Sequence, residues 1–203
     1  MDGTGVWGAV DREIGLTGIG GQGIQLAART LAVAAVADGL DVQVFGSYGG
    51  MMRGGNTESV VIIGEGRVMS PPTVSRYWGA IAMHPEYWDR LRSLLRPGGI
   101  VLVDSSVFLD SVKLDGSTVV EVRATEVATG LEAPRAASLC ALGAFAAATG
   151  IVSLPALLSA AASVLPSYRI EHLDANARAI SAGFGLIDGP IVAAWNLEVA
   201  HCD

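Results

Sequence analysis

Apolar residues in this chain come in short runs cut by glycine, proline and polar clusters, and runs of strand length alternate with longer stretches of helical period. Glu13-Ile14-Gly15-Leu16-Thr17-Gly18 reads as a short buried strand, and Ile24 to Asp38, closed by Gly39, reads as a helix. Asp41 to Phe45 predicts a second strand, Ser47 to Thr57 a loop, and Glu58 to Ile63 a third strand centred on Val60-Val61-Ile62-Ile63. Gly64-Glu65-Gly66 turns the chain into Arg67-Val68-Met69, and Ser70-Pro71-Pro72 then stops regular structure. Ala80 to Met83 resumes as a strand, Pro85 to Leu95 as a helix opened by proline, and Pro97-Gly98-Gly99 leads into the strand Ile100 to Val103. Ser117 to Val122 predicts another strand and Thr125 to Thr129 a helical turn. Pro134 to Ala148, Pro155 to Leu165 and Glu171 to Gly183 read as helices.

This order predicts an α/β fold, Rossmann-like and three-layered, with a mostly parallel sheet, helices on both faces and a helical C-terminal third. A length of 203 residues with no linker or shift in composition predicts one domain, 1–203. Apolar residues make up 51% of the chain and charged residues 16%, so apolar surface beyond the needs of a lone domain is expected to be buried, most simply at a subunit interface. A net charge of -7 lacks the basic footprint that binds phosphate backbones, which excludes nucleic acid as a partner. From Ala136 to Tyr168 there is no formal charge, a length able to span a bilayer. Its alanine-rich composition and the breaks at Thr149-Gly150 and Pro155 predict two packed helices and no membrane association. Met1 to Arg12 carries Asp2 and no basic region before an apolar run, so no secretory signal is expected and a cytoplasmic location is. Cys140 and Cys202 show no C-x-x-C spacing and the three histidines have no i, i+4 partner, so no metal site is expected.

The candidate chemistry sits in two glycine-rich turns: Gly18-Ile19-Gly20-Gly21-Gln22-Gly23 after the first strand, and Arg53-Gly54-Gly55-Asn56 before the third. The first satisfies the spacing of a dinucleotide fingerprint between strand and helix, where unpaired N–H groups and a partial positive charge suit an anion. A dinucleotide site also wants an acidic residue ending the second strand, and that position reads Phe45-Gly46-Ser47, while Asp38 and Asp41 stand at its start. The second turn adds a permanent cation, Arg53. His84 and Asp104-Ser105-Ser106 follow strand ends, where α/β sites open, with helix capping the plainer role for Asp104. No G-x-S-x-G elbow surrounds Ser47, which argues against a hydrolase. Arg90, Arg92 and Arg96 with Asp89 read as a solvated helix face.

Taken together, these motifs resemble the gamma subunit, or fused gamma domain, of the 2-oxoacid:ferredoxin oxidoreductases. The resemblance rests on the G-x-G-G-Q-G turn with Leu26-Ala27-Ala28 behind it, and on the loop Ser47-Tyr48-Gly49-Gly50-Met51-Met52-Arg53-Gly54-Gly55-Asn56. It extends to Ser59 to Gly64, Ser70-Pro71, Leu95 to Gly99, and the closing Asn176-x-x-Ala179-x-x-x-Gly183. The chain departs from the family at Gly50-Met51-Met52, where many members carry Pro-Glu, and at Ser138-Leu139, where an asparagine often stands.

This resemblance implies a subunit with no catalytic residue of its own in a complex that converts a 2-oxoacid to an acyl-CoA, nearer the 2-oxoglutarate and branched-chain or aryl members than the pyruvate ones. Thiamine diphosphate and iron–sulfur clusters would lie on alpha- and beta-type partners, with ferredoxin or another acceptor taking the electrons. This chain would hold no cofactor firmly by itself. A contact with coenzyme A is implied for Gly18, Gly20, Gly21, Gln22, Gly23, Ser47, Tyr48, Arg53, Gly54, Gly55 and Asn56. Two other readings stay open from the residues: a stand-alone nucleotide-binding oxidoreductase, and a scaffold subunit with no small ligand.

Overall fold

A computed structural model of the chain describes residues 10–48, 55–69 and 74–195. Six strands form one sheet: β1 (Asp11–Ile19), β2 (Asp41–Tyr48), β3 (Asn56–Gly64), β4 (Tyr77–Ala82), β5 (Leu95–Asp104) and β6 (Thr118–Val122). The helices are α1 (Ile24–Ala37), α2 (Trp88–Leu94), α3 (Ala124–Gly130), α4 (Ala137–Thr149), α5 (Leu154–Ser163) and α6 (Leu173–Phe184). The strand order is β2-β3-β1-β4-β5-β6, with every strand parallel except β3, which runs antiparallel to both of its neighbours. The expected three-layered, mostly parallel α/β architecture is what the chain adopts.

Alternation along the strands sends two sets of side chains to opposite faces. Ile14, Leu16, Val61, Ile63, Ile81, Ile100 and Leu102 meet α1, α3, α4, α5 and α6 in one core. Ala80, Ala82, Val101 and Val103 meet Leu91 and Phe108 in a smaller one, covered by α2 and the segment after β5. Helices therefore do lie on both faces, but unevenly, because the helical C-terminal third all packs on the α1 side.

Every residue of α4 is buried. The uncharged stretch becomes two helices, α4 and α5, broken at Gly150 with φ +62, and no helix among the described residues is long and apolar enough to cross a membrane. α6 packs on α4 through Asn176, Ala179, Ile180 and Gly183, the i, i+3, i+4, i+7 face of one helix. Gly143 and Gly183 bring the two backbones into contact: a Cβ at Gly183 would overlap the Cys140 carbonyl, and one at Gly143 would overlap that of Ile180.

Several boundaries differ from the reading of the sequence. β2 continues through Ser47 and Tyr48, and β3 begins at Asn56, because the two pair as a hairpin out to Tyr48↔Thr57, so the predicted loop shortens at both ends. After the Gly64-Glu65-Gly66 turn, Val68 docks beside β2, its N–H donating to Asp41 Oδ2 at 2.8 Å and its carbonyl accepting from Gln43 Nε2 at 3.2 Å. β5 already starts at Leu95, with a register shift between Tyr77 and Gly79 on β4 absorbing Pro97-Gly98-Gly99. The proline-opened helices begin as 3-10 turns at Pro85–Tyr87 and Pro134–Ala136.

Burial, with a smaller contribution from the charge of Asp104, pushes the Cys140 thiol from its ordinary 9.0 up to about 11. Between those two values the unfolded chain has lost the proton that the folded chain keeps. The contribution is therefore complete below pH 9.0 and is lost as pH rises towards about 11. Melting temperatures measured across that window should fall less steeply for Cys140→Ala than for the unsubstituted chain; equal slopes would refute the assignment.

Candidate functional site

The site is built where β1 and β4 end side by side. From β1 the chain crosses to β2 over one face through α1, and from β4 it crosses to β5 in the other direction over the opposite face through α2. Such a switch point opens a crevice at the carboxyl edge of the sheet.

The first glycine turn caps that crevice. Gly21 and Gly23 have φ +103 and +79, a region that strains other residues. Gly20 N–H donates to the Gly55 carbonyl at 3.0 Å, which joins the first turn to the last residues of the second. Gln22 folds back under the turn: its Oε1 accepts from Ile19 N–H at 2.8 Å and its Nε2 donates to the Met83 carbonyl at 3.1 Å. That amide latches the end of β1 to the end of β4. Gly18 makes the latch possible, since a Cβ there would lie 2.5 Å from Gln22 Oε1.

Gly23 is the N-cap of α1, and no side chain caps this helix. The first turn of α1 contains no acidic residue, so its partial positive end is not neutralised from within the helix. α4 begins alongside. Ser138, in its first turn, is 1% exposed, and its Oγ has no hydrogen-bond partner among the described residues. That oxygen faces Gly23, where a Cβ would lie only 2.8 Å from it.

Asn56 Oδ1, at the start of β3 on the same edge, is likewise buried with no hydrogen-bond partner among the described residues, whereas several neighbouring polar groups are paired. His84 Nδ1 accepts the Glu86 N–H at 3.2 Å and so caps the 3-10 turn before α2. Asp104 is fully buried and accepts from Ser106 N–H at 3.1 Å, from Thr125 N–H at 3.2 Å and from the Thr125 hydroxyl. It ties β5 to the start of α3, the capping role rather than a ligand contact. On the α2 side, Glu58 Oε1 accepts the Tyr77 O–H at 2.7 Å and Glu58 Oε2 lies 3.4 Å from Arg90 Nη2. Burial, then the hydrogen bond to Glu58, push the Tyr77 phenol well above its ordinary value. Of the three arginines expected on a solvated helix face, Arg90 and Arg92 are exposed on α2, Arg92 pairing with Asp89 at 2.8 Å, whereas Arg96 belongs to β5 and lies 3.4 Å from Glu13.

Of the residues expected at the site, Gly18, Gly20, Gly21, Gln22, Gly23, Gly55 and Asn56 gather on one edge, level with the ends of β2 at Ser47 and Tyr48. Arg53 and Gly54 lie outside the described residues, as does Ser70-Pro71. Gln22 and Gly20 spend their polar groups on the protein itself. Glu58, Tyr77 and Ser138 were not expected here; for Ser138 the departure from the family pattern was the one available signal. The sheet order also bears on the dinucleotide reading. β3 inserts between β1 and β2, so the end of β2 stands two strand spacings, roughly 10 Å, from the glycine turn. Asp38 and Asp41, at the opposite edge, bind Ser153 and Val68. Among the described residues no group of His, Cys, Asp and Glu is placed to hold a metal ion.

Residues 13–186 match the family described as pyruvate ferredoxin/flavodoxin oxidoreductase. The 2-oxoglutarate synthase subunit KorC of Methanocaldococcus jannaschii is 30% identical over 176 residues, covering 85% of this chain and 92% of that one. Among solved structures, the gamma subunit of a keto/oxoacid ferredoxin oxidoreductase from Geobacter sulfurreducens has a TM-score of 0.74 at 32% identity, covering 87% of this chain and 96% of that one. A 2-oxoglutarate:ferredoxin oxidoreductase from Magnetococcus marinus, solved with 2-oxoglutarate, coenzyme A and succinyl-CoA bound, shares the fold with a TM-score of 0.77 at 20% identity, over 87% of this chain and 31% of that one. The chain belongs to the pyruvate ferredoxin/flavodoxin oxidoreductase family. Within it, the similarity runs over nearly the whole length of separate gamma-type subunits, and the resemblance seen in the glycine turns is borne out.

Proposed function

We propose that this chain is the gamma-type subunit of a thiamine-diphosphate-dependent 2-oxoacid:ferredoxin (or other acceptor) oxidoreductase, and that its glycine-turn edge holds the anionic end of coenzyme A. The substrate class is a 2-oxoacid of the 2-oxoglutarate, branched-chain or aryl type, and the product an acyl-CoA. The observation that carries the reading is the junction of the two turns, Gly20 N–H to Gly55 O, beside the uncapped start of α1. This junction ties Gly55, two positions after Arg53 in the sequence, to the turn that leads into a helix favouring negative charge at its start.

Thiamine diphosphate supplies the chemistry at the 2-oxo carbon from an alpha- or beta-type partner, and iron–sulfur clusters on the partners carry the electrons to ferredoxin. Cys140 is buried and is the single cysteine among the described residues, which does not suit it to holding such a cluster. The residues of this chain bind and orient: α1 and Arg53 receive a pyrophosphate, and Gln22 keeps the turn in shape. A single domain, 1–203, in the cytoplasm, bound neither to membrane nor to nucleic acid, completes the proposal. The dinucleotide alternative is disfavoured by the displaced β2, and the scaffold alternative by the uncapped helix.

Arg53→Ala in the assembled complex tests the reading. An arginine–phosphate bond is worth about 1.5–3 kcal/mol, so the KM for coenzyme A should rise by roughly ten- to a hundredfold. A coenzyme A dependence that does not change would sink the proposal. Tight nucleotide binding by the purified chain alone would favour the stand-alone enzyme instead.

A further inference from the structure

At the end of α1 opposite the glycine turn, about 21 Å away for a helix of 14 residues, lies a cleft of about 460 Å³. That is the size of a small-molecule site. Leu40, Ile151, Val152, Phe184 and Trp195 give it apolar walls, and Asp38 is the one ionisable side chain among the described residues that line it. No lysine, arginine or histidine stands among them.

Two of the lining side chains are held in place by bonds to the protein. Asp38 Oδ2 accepts the Ser153 N–H at 2.6 Å, its Oδ1 accepts the Ser153 hydroxyl at 2.8 Å, and Trp195 Nε1 donates to the Ile151 carbonyl at 3.1 Å. The segment carrying Trp195 is stitched to the end of α4, where the Ala148 carbonyl accepts from Ile191 N–H at 2.7 Å and the Thr149 carbonyl from Ala194 N–H at 2.8 Å. A ligand would meet walls already formed, which lowers the cost of binding.

The electrostatics of the cleft have one sign. Asp38 is exposed and has no ion-pair partner among the described residues. It is also the C-cap of α1, and Gly150, the C-cap of α4, lies in the same wall. Neither helix carries a basic residue in its last turn, so both partial negative ends are left unneutralised from within. A carboxylate or a phosphate here would meet negative charge alone. A cation is favoured, and the two aromatic rings suit an apolar body carrying it.

We propose that this cleft is a second binding site that takes a small organic ammonium ion. Its charged nitrogen lies against the Asp38 carboxylate and its aromatic or branched aliphatic body against Leu40, Phe184 and Trp195. The inference stands apart from the coenzyme A reading, because both the ligand charge and the end of α1 differ.

Phenethylammonium, titrated into the full-length chain by calorimetry beside 2-phenylethanol and phenylacetate, tests it. The ammonium should bind about tenfold or more tightly than the alcohol, the worth of a hydrogen bond to a charged group, and shift the indole N–H resonance of Trp195. Phenylacetate should not bind. Asp38→Asn keeps an acceptor for Ser153 while removing the charge, so it should bring the ammonium down to the affinity of the alcohol and leave the alcohol unchanged. If that variant does not fold, the order of the three ligands and the Trp195 resonance of the unsubstituted chain decide. An alcohol that binds as tightly as the ammonium would reveal a merely apolar cleft and overturn the proposal. So would an ammonium that does not bind, that leaves Trp195 unshifted, or that binds Asp38→Asn equally well.

Discussion

Gly183→Ala is expected to cost about 3 kcal/mol or more, enough to leave little folded protein at ordinary temperature, through the addition of one methyl group. The reason is that the methyl has nowhere to go. On α6 it would overlap the Cys140 carbonyl of α4, backbone against backbone, and no rotamer change can relieve a clash with a carbonyl. The helices would have to separate, and α4 is buried along its whole length, so their separation would loosen the larger core. Gly143 faces the same problem from the other helix, at the Ile180 carbonyl. Gly130, at the end of α3, is the control. Nothing lies within 4 Å of a Cβ there, and its φ is not positive, so Gly130→Ala should be neutral or stabilise by about 0.5 kcal/mol. Urea midpoints of the two variants should move in opposite directions, and a Gly183→Ala chain as stable as its parent would show that the two helices do not meet there.

Asp104→Ala comes second in expected effect, at about 3 kcal/mol. Its carboxylate is fully buried and serves two backbone N–H groups and one hydroxyl, joining β5 to the first turn of α3. Alanine takes the acceptor from three part-buried donors, which together with the lost packing of the carboxylate costs about 3 kcal/mol. Thr125→Val, which removes one donor and leaves the carboxylate its N–H bonds, should cost only about 1 kcal/mol. Equal effects for the two substitutions, measured by denaturant unfolding, would mean that Asp104 works only through Thr125.

Much of the fold is legible from local pattern because its elements are locally consistent. Ile24 to Asp38 carries its own period and its own stop at Gly39, and the structure ends α1 at Ala37 with Asp38 as its cap. The apolar run Ile100 to Val103 is a strand in any context that buries both faces. What the pattern could not show is pairing. Ser47 and Tyr48 look like loop because polar and glycine-rich neighbours surround them, yet hairpin pairing with Glu58 and Thr57 draws them into β2. The insertion of β3 between β1 and β2 is likewise a long-range choice, with no trace in residue order.

The site divides in the same way. A glycine turn between strand and helix is visible from spacing, and the family resemblance that it carries is sound. Which polar groups remain available is not visible, because that depends on neighbours distant in sequence. Gln22 looked like a ligand contact and is committed to Ile19 and Met83. Arg96 looked like part of a solvated helix face and belongs to β5, where it lies 3.4 Å from Glu13 of β1. Ser138 drew notice only as a departure, and its proximity to Gly23 arises from helix packing 115 positions along the chain.

The hairpin register also governs the cost of closing its tip. Because Tyr48 and Thr57 are paired, both stems of the segment between them are anchored in the sheet, and Gly55 is anchored a second time through Gly20. The free energy of closing such a tip grows only slowly with its length, by about 0.6 kcal/mol for each doubling. A change in the number of residues between the two stems therefore adds little closure free energy and leaves the sheet register on either side as it is.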